Sequence, residues 1–327
     1  MAESGFALFW VVIIACATML YVVLDGYDLG VGILFGTTRD ETQRVRMMDA
    51  IAPFWDGNET WLVVIGVVLF AAFPEAYAVF LGAFYFPVLV MLFGLIFRGI
   101  AFEFRFRSEH RRWLWDRTFF LGSLLVAFAQ GAAVGAMIRG IPVANGQYAG
   151  GMFSWLHPFA ILTGLGLVLG YALLGAGWLV LKTDGALHDW ALQRIGWLAA
   201  GVFAVLFVAF SLTFDFSILA HGNLYARPWA GMFPVIAAIS LGGVIYVAGK
   251  GRDWLPFAMT VLFFVASFLT LGAMFWPYLI PYSVTVAGAA SPDASLKFLF
   301  YGAGVVVLPI IVAYTIGGYW IFRGKIR

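Results

Sequence analysis

The chain has 327 residues, of which 63% are hydrophobic and only 11% are charged, and its formal net charge is +2 at pH 7. This composition excludes an ordinary soluble domain and indicates a multi-pass membrane protein. The sequence contains no motif for binding nucleic acid or nucleotide phosphates, so no nucleic-acid partner is expected.

Nine apolar segments are long enough to cross a bilayer core about 30 Å thick, which takes roughly 20 helical residues. The sequence therefore predicts an all-α polytopic membrane protein in which 1–327 forms a single membrane domain. The predicted spans lie near 7–35, 54–73, 77–98, 118–138, 156–181, 195–214, 230–248, 255–275 and 298–321.

The basic residues are distributed unevenly between the two sides that nine spans define. The connections on one side and the C-terminal tail hold 16 of the 19 Lys and Arg residues, and only Arg139, Arg227 and Lys297 fall on the other side. Cytoplasmic loops are enriched in Lys and Arg. We therefore expect the N-terminus outside, the C-terminus in the cytoplasm, and most of these arginines to be topology anchors.

The stretch WDGNET, residues 55–60, places acids directly before an apolar run, 61–73, that is too short to span a bilayer alone. The second span should therefore begin near Phe54 and carry Asp56 and Glu59 at its cytoplasmic edge. Because carboxylates and amides cap helix N-termini, a purely structural capping role for Asp56, Asn58 and Glu59 is one interpretation.

The first span carries a second pair of acids. Asp25 and Asp28 are three residues apart, hence on one face of the helix, and near its cytoplasmic boundary. At a helix C-terminus the dipole opposes negative charge, so these acids need a partner or a proton. Arg98, at the end of the third span, is the expected counter-ion. Both a structural ion pair and an ion or proton route are open.

The histidines are not placed to hold a haem. His110 and His188 fall in cytoplasmic loops, His221 falls in an outer loop, and His157 lies at an outer helix start. A membrane cytochrome needs axial ligands that project from its helices into a bundle core. We therefore expect that this chain carries neither a haem nor a metal cluster.

A weak internal similarity links GYDLGVG at 26–32 with GYALLGAG at 170–177. The two segments occur near the ends of the first and fifth predicted spans and run in the same direction. They suggest two parallel four-helix repeats, 7–138 and 156–275, followed by a ninth helix at 298–321.

Four features together carry a family resemblance: DGYDLGVGIL at 25–34, IAPFWDGNETWLV at 51–63, Arg98 after the third span, and FWPYLIPYS at 275–283. The chain resembles subunit II of the cytochrome bd-type quinol oxidases, including their cyanide-insensitive variants. The resemblance implies two four-helix bundles plus a peripheral helix, paired as a heterodimer with a haem-bearing subunit I. That partner would hold two b-type haems and one d-type, or third b-type, haem.

The reaction implied by the resemblance is the oxidation of ubiquinol or menaquinol with four-electron reduction of oxygen to water. Quinol protons leave on the outer face and the protons for water come from the cytoplasm, so a membrane potential forms without pumping. The implied role is that of a haem-free subunit in the bacterial cytoplasmic (inner) membrane, in aerobic respiratory electron transport. It would stabilise subunit I and contribute a cytoplasmic proton path.

The resemblance assigns this proton path to acids at the contact with subunit I. By motif position these are Asp56 and Asp25, with Asp28 and Glu59 as weaker candidates, because other members have Gln where Glu59 stands. The supporting residues are Trp55, Asn58 and Arg98. Small accessory subunits and a structural quinone are left open, and the short outer segment 215–229 argues against any function that needs a larger loop there.

The competing interpretation is a proton-coupled membrane transporter, which would also place acids near helix ends. Transporter sites, however, lie near the bilayer midplane between broken helices of paired repeats. The acids of this chain cluster instead at one face of the membrane, which favours the oxidase subunit.

Overall fold

The computed structural model describes residues 5–108, 110–215 and 227–326. His221 and most of the outer segment 215–229 lie outside these residues. Eight described helical segments are long and apolar enough to cross a membrane, and a bent pair of helices makes a ninth if it counts as one span. The prediction of an all-α polytopic membrane protein is confirmed.

Twelve α-helices follow one another along the described residues. Their bounds are α1 Gly5–Phe35, α2 Glu41–Ile51, α3 Trp55–Ala72, α4 Pro74–Arg105, α5 Arg112–Arg139, α6 Pro158–Lys182, α7 Ala186–Asp215, α8 Met232–Val247, α9 Trp254–Phe275, α10 Val286–Ala289, α11 Asp293–Leu299 and α12 Leu308–Ile321. A 3-10 turn, Pro228–Gly231, precedes α8, and a π-helical segment, Phe300–Val307, joins α11 to α12.

The connection between the first two predicted spans contains a helix, Glu41–Ile51. Helix α2 begins after Asp40, whose side chain accepts hydrogen bonds from the backbone N–H groups of Thr42 and Gln43. Pro53 then interrupts the helical hydrogen bonds, since proline has no N–H to donate. As a result α2 and α3 meet at an angle of 51°, and the WDGNET stretch begins α3 at this corner.

The helices before α12 can be described as two groups of four spans that also pack against each other. In the first group α1 packs on α3 and α5, and α4 packs on α5; in the second, α6 packs on α7 and α9, and α8 packs on α9. Helices α1 and α5 both pack against α6 and so join the groups. Helix α12 is peripheral, because it contains no buried residue.

Glycines allow α1 and α6 to approach closely where the groups meet. A Cβ added at Gly30 would lie 1.7 Å from the carbonyl oxygen of Tyr171, and one at Gly175 would lie 2.4 Å from the carbonyl carbon of Gly30. Small residues at such crossings are typical of membrane helices, which associate through close packing. The similar segments 26–32 and 170–177 therefore pack against each other.

The ends of the spans opposite Asp25 are joined by two small hairpins. Strands β1 (Val143–Ala144) and β2 (Gln147–Tyr148) pair antiparallel, and so do β3 (Tyr278–Ile280) and β4 (Val284–Thr285). Asn145 and Gly146 form the first turn with φ of 52° and 72°. Positive φ at both positions is what a two-residue hairpin requires.

The C-terminal tail folds back onto the opposite, arginine-rich end of the molecule. Lys182, at the end of α6, donates to the carbonyl oxygen of Gly324 over 3.1 Å. Lys325 binds Asp184 and Asp253, each at 2.6 Å. The hydrogen bond from Lys325 lowers the pKa of Asp253. The tail thus links the α6–α7 turn with the residue that precedes α9.

Candidate functional site

The WDGNET stretch points its polar side chains in different directions from the first turns of α3. Asp56 is exposed, Glu59 is partly exposed, and Asn58 is buried at 1% relative exposure. Residue Phe54 occupies the N-cap position of α3 and makes no side-chain capping bond. The capping interpretation is wrong for Asn58 and Glu59, whose side chains bind partners on other helices.

Arg98 of α4 brings acids from two other helices together. Its Nη2 atom lies 2.7 Å from Oδ1 of Asp25 and also forms an ion pair with Glu59. The side chain of Asp25 is 0% exposed, that of Arg98 is 2% exposed, and that of Glu59 is 25% exposed. The carboxyls of Asp25 and Glu59 therefore meet at one nitrogen atom, with Glu59 on the more accessible side.

The position of Arg98 follows from the close packing of α4 on α5. A Cβ added at Gly122 would lie 2.7 Å from the carbonyl oxygen of Gly94. Gly94 is one helical turn before Arg98. The close crossing at Gly94 therefore places the Arg98 side chain inside the first group of helices.

Asp28 is held by a separate set of hydrogen bonds. Asn58 Nδ2 donates to Oδ2 of Asp28 over 2.7 Å and lies 3.0 Å from the hydroxyl of Tyr27. The hydroxyl of Tyr319, on the peripheral helix α12, donates to Oδ1 of Asn58 over 3.0 Å. Both Asp28 and Tyr27 are 0% exposed, so this set is buried between α1, α3 and α12.

We use the name acid cluster for Asp25, Asp28, Glu59 and Arg98. Several buried polar atoms of the cluster have no hydrogen-bond partner among the described residues. They are Nε and Nη1 of Arg98 and Oδ1 of Asp28. Buried polar atoms usually find a partner or bind ordered water. Ordered water is the usual partner for such atoms.

The expectation that the α1 dipole opposes Asp25 and Asp28 is wrong. Helix α1 continues to Phe35, ten residues beyond Asp25, whereas the dipole acts within the last turn. The two acids are unusual for a different reason. They are fully buried inside a membrane bundle, where a charge is costly without a partner.

A buried polar chain continues from the acid cluster into the apolar core. Tyr21 precedes Asp25 by one helical turn and is close enough to it for an electrostatic interaction. Gln130 Nε2 donates to the hydroxyl of Tyr21 over 2.9 Å, and the hydroxyl of Tyr171 donates to Gln130 Oε1 over 2.7 Å. These residues join α1, α5 and α6, and sequence reasoning did not single them out.

A second ionic network lies near the acid cluster at the ends of α4 and α5. Arg105, fully buried, donates to Asp116 over 2.6 Å and to Glu41 over 2.8 Å, and Arg44 donates to Asp116 over 2.8 Å. Arg112 also pairs with Glu41 at 3.1 Å. This network has three cations for two carboxylates and links the start of α2 to α4 and α5.

The remaining predicted residues occupy structural positions. Trp55 packs its ring on Phe102, with 5.4 Å between ring centroids. His157 caps α6 by accepting from the N–H of Ala160, and burial together with Arg139 lowers its pKa. His188 contacts Asp253 at 3.2 Å at the arginine-rich end. Within the described ranges, no group of three or more His, Cys, Asp or Glu is arranged to hold a metal ion.

Comparison with known proteins covers almost the whole chain. Residues 6–322 match the family described as cytochrome bd terminal oxidase subunit II. The chain is 30% identical to cytochrome bd-I ubiquinol oxidase subunit 2 of Escherichia coli (strain K12), over 97% of this chain and 94% of that protein. It is also 30% identical to cytochrome bd ubiquinol oxidase subunit 2 of Bacillus subtilis (strain 168), over 97% of this chain and 96% of that one.

A solved structure has the same fold. The structure of bd oxidase from Geobacillus thermodenitrificans contains a chain that superposes with a TM-score of 0.79 at 15% sequence identity, covering 98% of this chain and 99% of that chain. The match over 6–322 shows that the chain belongs to the cytochrome bd terminal oxidase subunit II family.

Proposed function

We propose that this chain is the haem-free subunit II of a bd-type terminal quinol:oxygen oxidoreductase. It pairs with a haem-bearing subunit I, stabilises that subunit, and supplies protons from the cytoplasm for the reduction of oxygen to water. The relatives from Escherichia coli and Bacillus subtilis are named as ubiquinol oxidase subunits, which supports quinol and oxygen as the substrates of the complex.

The haems of the complex belong to subunit I in this proposal, two of b type and one of d type or a third of b type. They supply the electron transfer and the oxygen reduction. His157 and His188 fit that division, because His157 caps a helix and His188 lies beside Asp253 at a helix start. The proposal does not depend on accessory subunits or on a structural quinone.

The orientation is proposed from the arginine-rich end. Residues from the α2 segment, the α6–α7 turn and the C-terminal tail contact one another there, since Arg46 donates to the carbonyl oxygens of Asp184 and Ile326. In a bacterial inner membrane, the end of a protein that is rich in Arg and Lys faces the cytoplasm. The acid cluster then opens towards the cytoplasm, where the protons for water originate.

The observation that carries the proton role is the imbalance of charge in the acid cluster. The cluster contains three carboxyls, of which Asp25 and Asp28 are fully buried, but only one guanidinium, which pairs with Asp25 and Glu59. Uncompensated buried charges are costly, so binding of a proton stabilises the cluster. The nearby network around Arg105 has the opposite balance and is suited to holding helices together.

The acids form a series from the surface to the interior. Asp56 is exposed and close enough to Glu59 to interact with it electrostatically. Glu59 meets Asp25 at Arg98, and the chain of Tyr21 and Gln130 extends further inwards. Intramembrane acids in such a series are typical of proton routes.

The transporter alternative is not favoured. The family match extends from residue 6 to residue 322, and the acid cluster lies towards one end of its helices. Transporter sites usually lie at the midplane between broken helices.

The proposal is tested by replacing Asp25 with Asn in the complex with subunit I. Asn keeps the size of the side chain but cannot exchange a proton, and Glu59 remains to pair with Arg98. We expect quinol-driven oxygen consumption per haem to fall about tenfold or more, while haem content stays normal.

Asp40→Asn is the matched control. Asp40 caps α2 at the same end of the molecule, and Asn caps a helix about as well as Asp. Its turnover should equal that of the wild type. Normal turnover of Asp25→Asn would contradict the proton role, and loss of haem in that variant would show a structural role instead.

A further inference from the structure

Helix α12 contributes one polar group to the buried side of the molecule. It is otherwise a peripheral apolar helix, yet the hydroxyl of Tyr319 lies 3.0 Å from Oδ1 of Asn58 and 2.5 Å from the hydroxyl of Tyr27. The ring of Tyr319 stacks on Phe54, with 4.7 Å between centroids. Tyr319 is thereby fixed at the corner where α3 begins.

The acceptors around Asn58 fix the direction of these hydrogen bonds. The carbonyl oxygen of Leu24, 3.3 Å away, can only accept, so it must face the NH₂ group of the amide. Oδ1 of Asn58 therefore faces Tyr319, which must donate its only proton there. Tyr27 must then donate to the hydroxyl oxygen of Tyr319. In this arrangement Asn58 Nδ2 is directed at Asp28.

We infer that Tyr319 is a positioning residue for proton uptake, holding Asn58 in the orientation that donates to Asp28. The inference rests on the proposed function, because it gives Asp28 a place in the proton path. Without the Tyr319 hydroxyl, Oδ1 of Asn58 loses its donor, and the long 3.3 Å contact with the carbonyl oxygen of Leu24 holds the amide orientation less firmly. Helix α12 then contributes to proton uptake through Tyr319, in addition to packing against the other helices.

The C-terminal tail supports this position of α12. Lys182 donates to the carbonyl oxygens of Phe322 and Gly324, directly after the helix. The N–H of Ile326 donates to the carbonyl oxygen of Lys182 over 2.8 Å. Tyr319 is therefore anchored from both sides, by Phe54 before α3 and by the tail.

The test is Tyr319→Phe in the assembled complex, which removes only the hydroxyl and keeps the stacked ring. We expect turnover per haem to fall about threefold to tenfold, the factor expected for losing one hydrogen bond to a buried amide. The deficit should grow as the assay pH rises, because proton uptake limits turnover more when protons are scarce. The KM for quinol should not change.

Tyr314→Phe is the matched control on the same helix. Its hydroxyl lies beside Gly57, its side chain is exposed, and it makes no hydrogen bond to a described residue, so turnover should match the wild type. In an Asp28→Asn background, Tyr319→Phe should have no further effect, because both changes interrupt the same contact.

The outcomes separate the inference from the proposed function. If Asp28→Asn slows turnover and Tyr319→Phe does not, the inference about Tyr319 is wrong and the proton path stands. If Tyr319→Phe lowers turnover by the same factor at every pH, its role is purely structural and the inference is overturned. If Asp28→Asn itself turns over normally, Asp28 has no place in the proton path. The inference about Tyr319 is then overturned, and the proposed path is reduced to the other acids.

Discussion

At the scale of single residues, the acid cluster and the network around Arg105 differ in their balance of charge. Arg98 serves two carboxyls while Asp28 is held by an amide, whereas Arg105 lies among additional arginines. The sequence indicated Asp25 and Arg98 as partners, because an acid inside an apolar span needs a counter-ion. It could not indicate that Asn58 turns inwards, since the side that a residue in the first turn faces depends on the angle between α2 and α3.

Asp56 is the outermost acid of the proposed proton path. It lies exposed in the first turn of α3, where Asn would lose only a dipole interaction of roughly 0.3–1 kcal/mol. If Asp56 collects protons, Asp56→Asn should lower oxygen consumption per haem with normal assembly, and Asp56→Glu should recover part of the rate. Near-normal turnover in Asp56→Asn would make Glu59 the outermost acid of the path, and loss of haem would place Asp56 at the contact with subunit I.

At the scale of elements, hydropathy predicted the spans well and their polar extensions poorly. The predicted span 156–181 corresponds to α6, Pro158–Lys182, but 77–98 corresponds to the longer α4, Pro74–Arg105. The additional turns of α4 and helix α2 carry charged residues, such as Arg105 and Glu41. They are stabilised by contacts such as that of Arg105 with Asp116, which hydropathy does not report.

The crossing of α1 and α6 is the element contact most sensitive to side-chain size. A methyl group at Gly30 would lie 1.7 Å from the backbone of Tyr171, and backbone cannot move aside as a side chain does. We expect Gly30→Ala to destabilise the complex by about 1–3 kcal/mol or more, measured as a lower temperature of haem loss in detergent. Gly196→Ala, in α7 with nothing within 4 Å, is the control and should be neutral. Equal stability of both variants would mean that the helices can separate at this crossing without cost.

At the scale of the whole molecule, contacts between distant parts of the chain lay beyond sequence reasoning. Tyr319 and Asn58 are 261 residues apart, and no motif in the apolar ninth span marks the tyrosine. The two proposed repeats, 7–138 and 156–275, remain a prediction; the packing of Gly30 against Gly175 places their similar segments in contact. The one-sided distribution of basic residues, by contrast, predicts the orientation of the whole chain in the membrane, which can be measured directly.

Two reporters decide the orientation. The C-terminal tail contacts the α6–α7 turn through Lys325 and Asp184 at the arginine-rich end, and the β1–β2 turn at Asn145 lies at the end of α5 away from it. Because basic loops stay in the cytoplasm, a reporter fused after Arg327 should be cytoplasmic and one inserted at Asn145 should be external. The reverse pattern would direct the acid cluster to the outer face and end the proposal of cytoplasmic proton uptake. Two reporters on the same side would contradict the number of spans, since the chain would then cross the membrane an even number of times between them.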